Sequence, residues 1–239
     1  MGLIYYMYML QNPYYLFGTI FVLIAMVFSA WAQFKIRSTY STYKRVPNSR
    51  GLTGAQVARE ILDANGMYNV PVYQVAGELT DHFDPTKKLI NLSTDIYNGT
   101  SIAAVAVAAH ECGHAIQFKT GYAPLTFRNM IVPVCNIGNY FGWIAIMVGL
   151  IFGYPKLAWI GFILSLGILV FQVVTLPVEL DASRRGLEIL QARYLTSNEY
   201  DGAKAMLSSA AMTYVASVAA TLASMLRILL VIMSSSRRR

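Results

Sequence analysis

Three stretches of the chain, 14–32, 130–152 and 157–176, contain no Asp, Glu, Lys or Arg and are almost wholly apolar. A hydrocarbon core about 30 Å thick takes roughly 20 apolar residues of helix to cross, because every backbone polar group there must be satisfied within the helix itself. All three stretches are long enough, so the chain is expected to be mainly α-helical and integral to a membrane. Only Gly153, Tyr154, Pro155 and Lys156 separate the second stretch from the third, which is the spacing of a helical hairpin with a very short turn. A fourth apolar stretch, 210–233, is rich in small residues and contains Arg227. It reads either as a fourth span with the Arg227 side chain snorkelling, or as a long helix lying partly at the interface.

Composition agrees with this reading. Hydrophobic residues make up 56% of the 239, charged residues only 13%, and mean hydropathy is +0.46, which excludes a disordered chain and argues against a fully soluble one. Ala30-Trp31-Ala32 has the small-residue pattern of a signal-peptidase site, but no Lys or Arg precedes residue 35, so the first stretch is expected to stay as an uncleaved anchor. Of the nineteen Lys and Arg, fourteen fall in 35–129 and 178–204, and Lys156 stands alone in the hairpin turn. The positive-inside rule then places both basic segments in the cytosol. The net charge of +7 is therefore read as topological, and no nucleic-acid partner is expected. A complete fourth span would carry Arg237, Arg238 and Arg239 to the opposite side, which counts against one. Cys112 and Cys135 lack the number and spacing of a disulfide framework or thiolate metal site, and read as buried, reduced thiols.

Between the first two spans, Thr53-Gly54-Ala55-Gln56 opens a short amphipathic helix as a capping box, with Val57, Ala58, Ile61 and Leu62 on one face and Gly66 as its stop. Val70–Val72 and Lys88–Leu92 read as short strands, and Asp84-Pro85-Thr86-Lys87 between them as a turn. Ser101–Gln117, nearly all Ala, Val and Ile up to His110, reads as a buried helix.

That helix ends in His110-Glu111-Cys112-Gly113-His114. Histidines at i and i+4 project from one face and can grip one Zn²⁺. Glu111, one step round the helix, can accept a proton from a water at the metal. A fortuitous match is a weak alternative, since two of only three histidines flank a Glu inside an otherwise uncharged helix, where an unpaired carboxylate would be costly. A catalytic zinc takes three protein ligands and keeps one position open. Two spans return the chain to the same side after His114, so Glu179 or Asp181 could supply the third.

Ala104–Gln117, Leu79–Pro85 and Glu179–Arg185 together resemble the bacterial YugP-type membrane zinc metallopeptidases, over nearly the whole chain. More distantly the sequence is similar to the HtpX and CAAX prenyl protease group, where a later Glu completes a two-His, one-Glu site. The resemblance implies His110, His114 and Glu179 as zinc ligands, one catalytic Zn²⁺, Glu111 as catalytic base, and a small cytosolic α+β domain of the gluzincin kind carried on three or four transmembrane helices. In the distant group an Asp follows the ligand Glu by four residues; here that position is Ser183. His82 could serve the oxyanion, act as a ligand, or simply hydrogen-bond within its turn, and the last reading is preferred. Arg184 and Arg185 read as headgroup anchors. The expected organisation is an anchor at 1–34, a metallopeptidase segment at 35–129, a helical hairpin at 130–177, a ligand-bearing segment at 178–204 and an apolar helix with a basic tail at 205–239. The expected function is hydrolysis of peptides or membrane-protein segments at the cytosolic face of a bacterial cell membrane. An intramembrane protease of the site-2 kind and a non-enzymatic scaffold with structural zinc are the competing readings. Only about nine apolar residues precede His110, too few to carry it to mid-bilayer.

Overall fold

The computed structural model describes residues 13–236, and within them seven helices and three strands. In chain order these are α1 (Pro13–Tyr43), α2 (Gly54–Ala64), β1 (Val72–Val75), β2 (His82–Asp84), β3 (Leu89–Ser93), α3 (Thr94–Asn98), α4 (Ile102–Lys119), α5 (Ala123–Ile151), α6 (Pro155–Arg193) and α7 (Ser197–Ser236). Arg237, Arg238 and Arg239 lie outside the described residues, as does the start of the expected anchor.

Four helices, α1, α5, α6 and α7, are long and apolar enough to cross a membrane. The fourth apolar stretch is thus the distal part of a single helix beginning at Ser197, and by length and composition it joins the other three. Each of the four is longer than its apolar run. Residues segregate into two compact units whose boundaries fall within these helices, after Ala32, Thr126, Thr175 and Thr213. One unit holds the apolar portions. The other holds Gln33–Thr126 and Leu176–Thr213, including every strand. The stretch 178–204 falls in that second unit, yet it is continuous with the helix before it: α6 runs on without a break to Arg193, with Pro177 inside it, and only Tyr194–Thr196 part it from α7.

In the apolar unit α5 and α6 pack through glycines. A Cβ on Gly142 would meet Gly161 O at 2.8 Å, and one on Gly161 would meet Ile146 N at 2.6 Å. Small residues at a helix crossing let backbones approach, which is how packing is gained where lipid tails are as apolar as the side chains.

In the second unit α4 is the centre. Ala103 to Ala109 are all buried, so this helix is apolar on every side, as the sequence suggested. Val57, Ala58, Ile61 and Leu62 of α2, Ile90 and Leu92 of β3, Leu190 of α6 and Met206 and Leu207 of α7 belong to the same core. The Thr53 capping box forms as read: Thr53 Oγ1 accepts from Gln56 N at 3.2 Å and Gln56 Oε1 accepts from Thr53 N at 2.8 Å. Gly66, at φ +64, follows this helix in the left-handed region that favours glycine. Glu199, in the first turn of α7, accepts hydrogen bonds from Thr196 and from the N–H and hydroxyl of Ser49, tying the start of α7 to the loop after α1.

The sheet order is β1-β3-β2, with β1 parallel and β2 antiparallel to β3. The expected turn closes the β2–β3 hairpin, Asp84 Oδ1 accepting from the N–H groups of Thr86 and Lys87 at 2.8 and 2.9 Å. The strand read over Lys88–Leu92 is central, not an exposed edge, because β2 pairs with it on the side opposite β1. Its alternate residues Ile90 and Leu92 are fully buried on one face, in the core shared with α2 and α4.

Candidate metal centre

The last two turns of α4, from His110 to Gln117, and the first turn of α6 after its apolar run meet within the second unit. What allows the approach is glycine on both helices. A Cβ on Gly113 would lie 2.4 Å from Ala182 O, and one on Gly186 would lie 2.9 Å from Ala109 O. Any side chain at either position would push the helices apart. With hydrogens there, the imidazoles of α4 reach the carboxylate of α6.

His110 Nε2 lies 3.4 Å from Glu179 Oε2, and His114 Nε2 lies 3.3 Å from the same oxygen. All three donor atoms fall within 4.8 Å of one another. A tetrahedral Zn²⁺ with ligand bonds of about 2.0–2.2 Å holds neighbouring donors about 3.4 Å apart. Donor type and spacing both fit such an ion, and a third position supplied by a carboxylate leaves the fourth open. Glu179 is 5% exposed, and burying a carboxylate this deeply is expensive unless a cation compensates. Burial pushes its pKa up, but contacts from His110 and His114 outweigh that and hold it well below the usual carboxylate range. His114 shows the reverse balance: burial lowers its pKa, while Glu179 and the charge of Glu111 bring it to a net rise.

The outer nitrogens of both imidazoles are engaged. His110 Nδ1 is 3.0 Å from Ser183 Oγ, so the residue standing in place of the distant group's Asp still reaches the ring. His114 Nδ1 is 3.0 Å from Gln117 Oε1. Gln117 is fully buried, and its Nε2 donates to Val178 O at 2.7 Å and to Asp181 Oδ2 at 2.9 Å. Because both of those partners only accept, the amide NH₂ must face them and Oε1 must face His114. His114 therefore carries its proton on Nδ1, leaving the Nε2 lone pair toward Glu179, the tautomer a metal ligand needs.

Glu111, 6% exposed, turns toward the sheet, where its Oε2 accepts from the backbone N–H of Phe83 in β2 at 2.9 Å. Asp181 does not contact either histidine; it accepts from Gln117, Arg184 and Arg185, which explains where both arginines point. His82 is exposed on β2, with Nδ1 2.9 Å from Thr80 O and Nε2 3.0 Å from Asn91 Nδ2, a set of local bonds apart from the three-donor cluster. Cys112 is buried behind the helix, and burial pushes its thiol pKa up, so it is inert.

Residues 18–233 match the family model described as "Putative neutral zinc metallopeptidase". The chain belongs to this neutral zinc metallopeptidase family. Among curated proteins it is 42% identical over 211 residues to "Putative membrane protease YugP" of Bacillus subtilis, covering 88% of this chain and 94% of the relative. No solved structure matches the chain. Membership of the neutral zinc metallopeptidases brings zinc to the chain as a family property, and the three-donor cluster is the place among the described residues that suits it.

Three features of this candidate centre escaped sequence reasoning. Gln117 is three residues after His114 and so on its face of the helix, a signal that was present. Gly186 and the Phe83 N–H were not readable, since each matters only through a partner distant in the chain.

Proposed function

We propose that the chain is a membrane-anchored zinc endopeptidase that hydrolyses peptides or membrane-protein segments at the cytosolic membrane surface, with His110, His114 and Glu179 as ligands and Glu111 as general base. The observation that carries this reading is the convergence of two imidazoles and one carboxylate at ligand spacing, with a second carboxylate adjacent in the helix. Zinc, when bound, supplies a Lewis acid for a water and for the scissile carbonyl. Glu111 takes the water's proton and delivers it to the leaving amine. Ser183 and Gln117 keep the imidazoles in the ligating tautomer. An extended substrate pairs with β2, the edge strand whose Phe83 N–H already borders Glu111.

Continuity of α6 supports a site near the membrane surface: Glu179 lies four residues, about 6 Å of helix, past Thr175, where the apolar unit ends. A separate feature speaks against a site-2 type protease: α4 is not among the described helices long and apolar enough to span. A purely structural zinc would leave Glu111, beside the ligands, with only its bond from the Phe83 N–H.

The test is metal-dependent cleavage of a peptide by detergent-purified protein. Glu111→Gln should lower turnover by at least about 100-fold with zinc content unchanged. Undiminished cleavage by that variant would overturn the assignment, and loss of zinc from Glu179→Ala checks the third ligand separately.

A further inference from the structure

A second site lies where α1 leaves its apolar run. The side chains of Arg37, Ser41 and Arg45 recur along one face of the helix and just past its end, and with Tyr40, Lys44 and Glu78 they line a cavity of about 680 Å³. That volume is in the range of small-ligand sites. Lys44 is already neutralised, 2.5 Å from Asp95 and 3.7 Å from Glu78. Arg37 and Arg45 are not: among the described residues neither guanidinium makes an ion pair or hydrogen bond. The Tyr40 hydroxyl is buried in the same wall without a hydrogen-bond partner. Two free guanidinium forks and the exposed Ser41 hydroxyl in a concave surface suit the oxygens of a phosphate better than a point charge or an apolar group.

Depth along the helix narrows the ligand. Phe34, 72% exposed, is the last residue before the charges begin, and Arg37 stands three residues, about 4.5 Å, beyond it. The headgroup layer outside the hydrocarbon is about 5–8 Å thick on each side. The Arg37 end of the cavity is therefore at the level of lipid phosphates, and the cavity runs outward from there along the helix toward Arg45.

We propose that this cavity is a phosphate-ester site, gripped by Arg37 and Arg45 and filled by the headgroup of an anionic phospholipid. It is independent of the zinc centre. A general excess of positive charge at the cytosolic surface would attract anionic lipid without using these two residues in particular, and that is the distinction to be measured.

The experiment titrates full-length protein in neutral detergent with dihexanoyl phosphatidylglycerol below its micelle concentration, with dihexanoyl phosphatidylcholine, and with glycerol phosphate, following binding by thermophoresis. Saturable binding of the glycerol lipid is expected, weakened about tenfold or more by Arg37→Gln with Arg45→Gln, while Lys35→Gln, the same charge removed from outside the cavity, changes it less than about threefold. Equal binding of glycerol phosphate would support the site and reassign its occupant to free phosphate esters. Equal weakening by Lys35→Gln, unchanged binding in the double variant, or no saturable binding of any probe would overturn the proposal. Both residues are exposed, and among the described residues neither guanidinium makes an ion pair or hydrogen bond, so the double variant should keep the wild-type zinc content; Arg45→Gln alone gives a second, milder reading of the same effect.

Discussion

Gln117 shows how much a single side chain can decide at a metal site. It joins His114 on one helix to Val178 and Asp181 on another, and its two acceptors fix which way its amide points. Replacing it by Leu removes the bond to Nδ1 and leaves the Val178 carbonyl and His114 ring to find other partners. Zinc affinity of Gln117→Leu, measured by competition with a chelator, should fall about 10–100-fold, and Ser183→Ala should move it in the same direction. A Gln117→Leu variant with wild-type zinc affinity would mean that the tautomer is set without it. His110, Glu111 and His114 were legible in the sequence because their relation is local, one turn of one helix. The choice of Glu179 over Asp181 came from the family resemblance and not from spacing, because two residues along a helix point in different directions and only the packed partner shows which one meets the imidazoles.

The elements around the site are held by the crossing of α4 with α6, and that crossing depends on two hydrogens. A methyl at position 113 would collide with the Ala182 carbonyl, so Gly113→Ala forces the helices apart. A cost of about 1–3 kcal/mol is expected, read as a lowered midpoint of thermal unfolding in detergent, together with weaker zinc binding as Glu179 withdraws. Gly186→Ala should behave alike, since its neighbour is the backbone at Ala109 and His110. Helices α2 and α4 and the hairpin turn were readable from periodicity, capping and turn chemistry. Strand β2 was not: three residues carry no period, and they become a strand only because β3 offers an edge. The two compact units part after Thr175, two residues from the boundary expected after residue 177, and α6 runs through both because an in-helix Pro is compatible with a helix whose flanks are packed.

For the whole molecule, the apposed His114 and Glu179 predict how pH and metal combine. The depressed Glu179 contributes stability present above the ordinary carboxylate range and lost as pH falls through its folded value; the raised His114 contributes stability present below its ordinary value and lost as pH rises through the folded one. The metal-free protein should thus be best held in mildly acidic solution, and added zinc, which displaces the His114 proton, should raise the unfolding midpoint more at pH 8 than at pH 6. At a zinc concentration 1,000-fold over its dissociation constant the gain is about 4 kcal/mol. A zinc effect that shrinks as pH rises from 6 to 8 would contradict the shared site. What the sequence determined alone was everything carried by local spacing: apolar runs long enough to cross lipid, the two histidines and glutamate on one helix, and the caps that start and stop short helices. What only the tertiary structure decided was which distant groups come into contact, namely Glu179 with the imidazoles, Gln117 with α6, Phe83 with Glu111, and the strand order around β3. The physical reason is that periodicity records which face a residue presents, whereas partnership across the chain is set by close packing, here by whether a hydrogen or a methyl stands at the helix crossing.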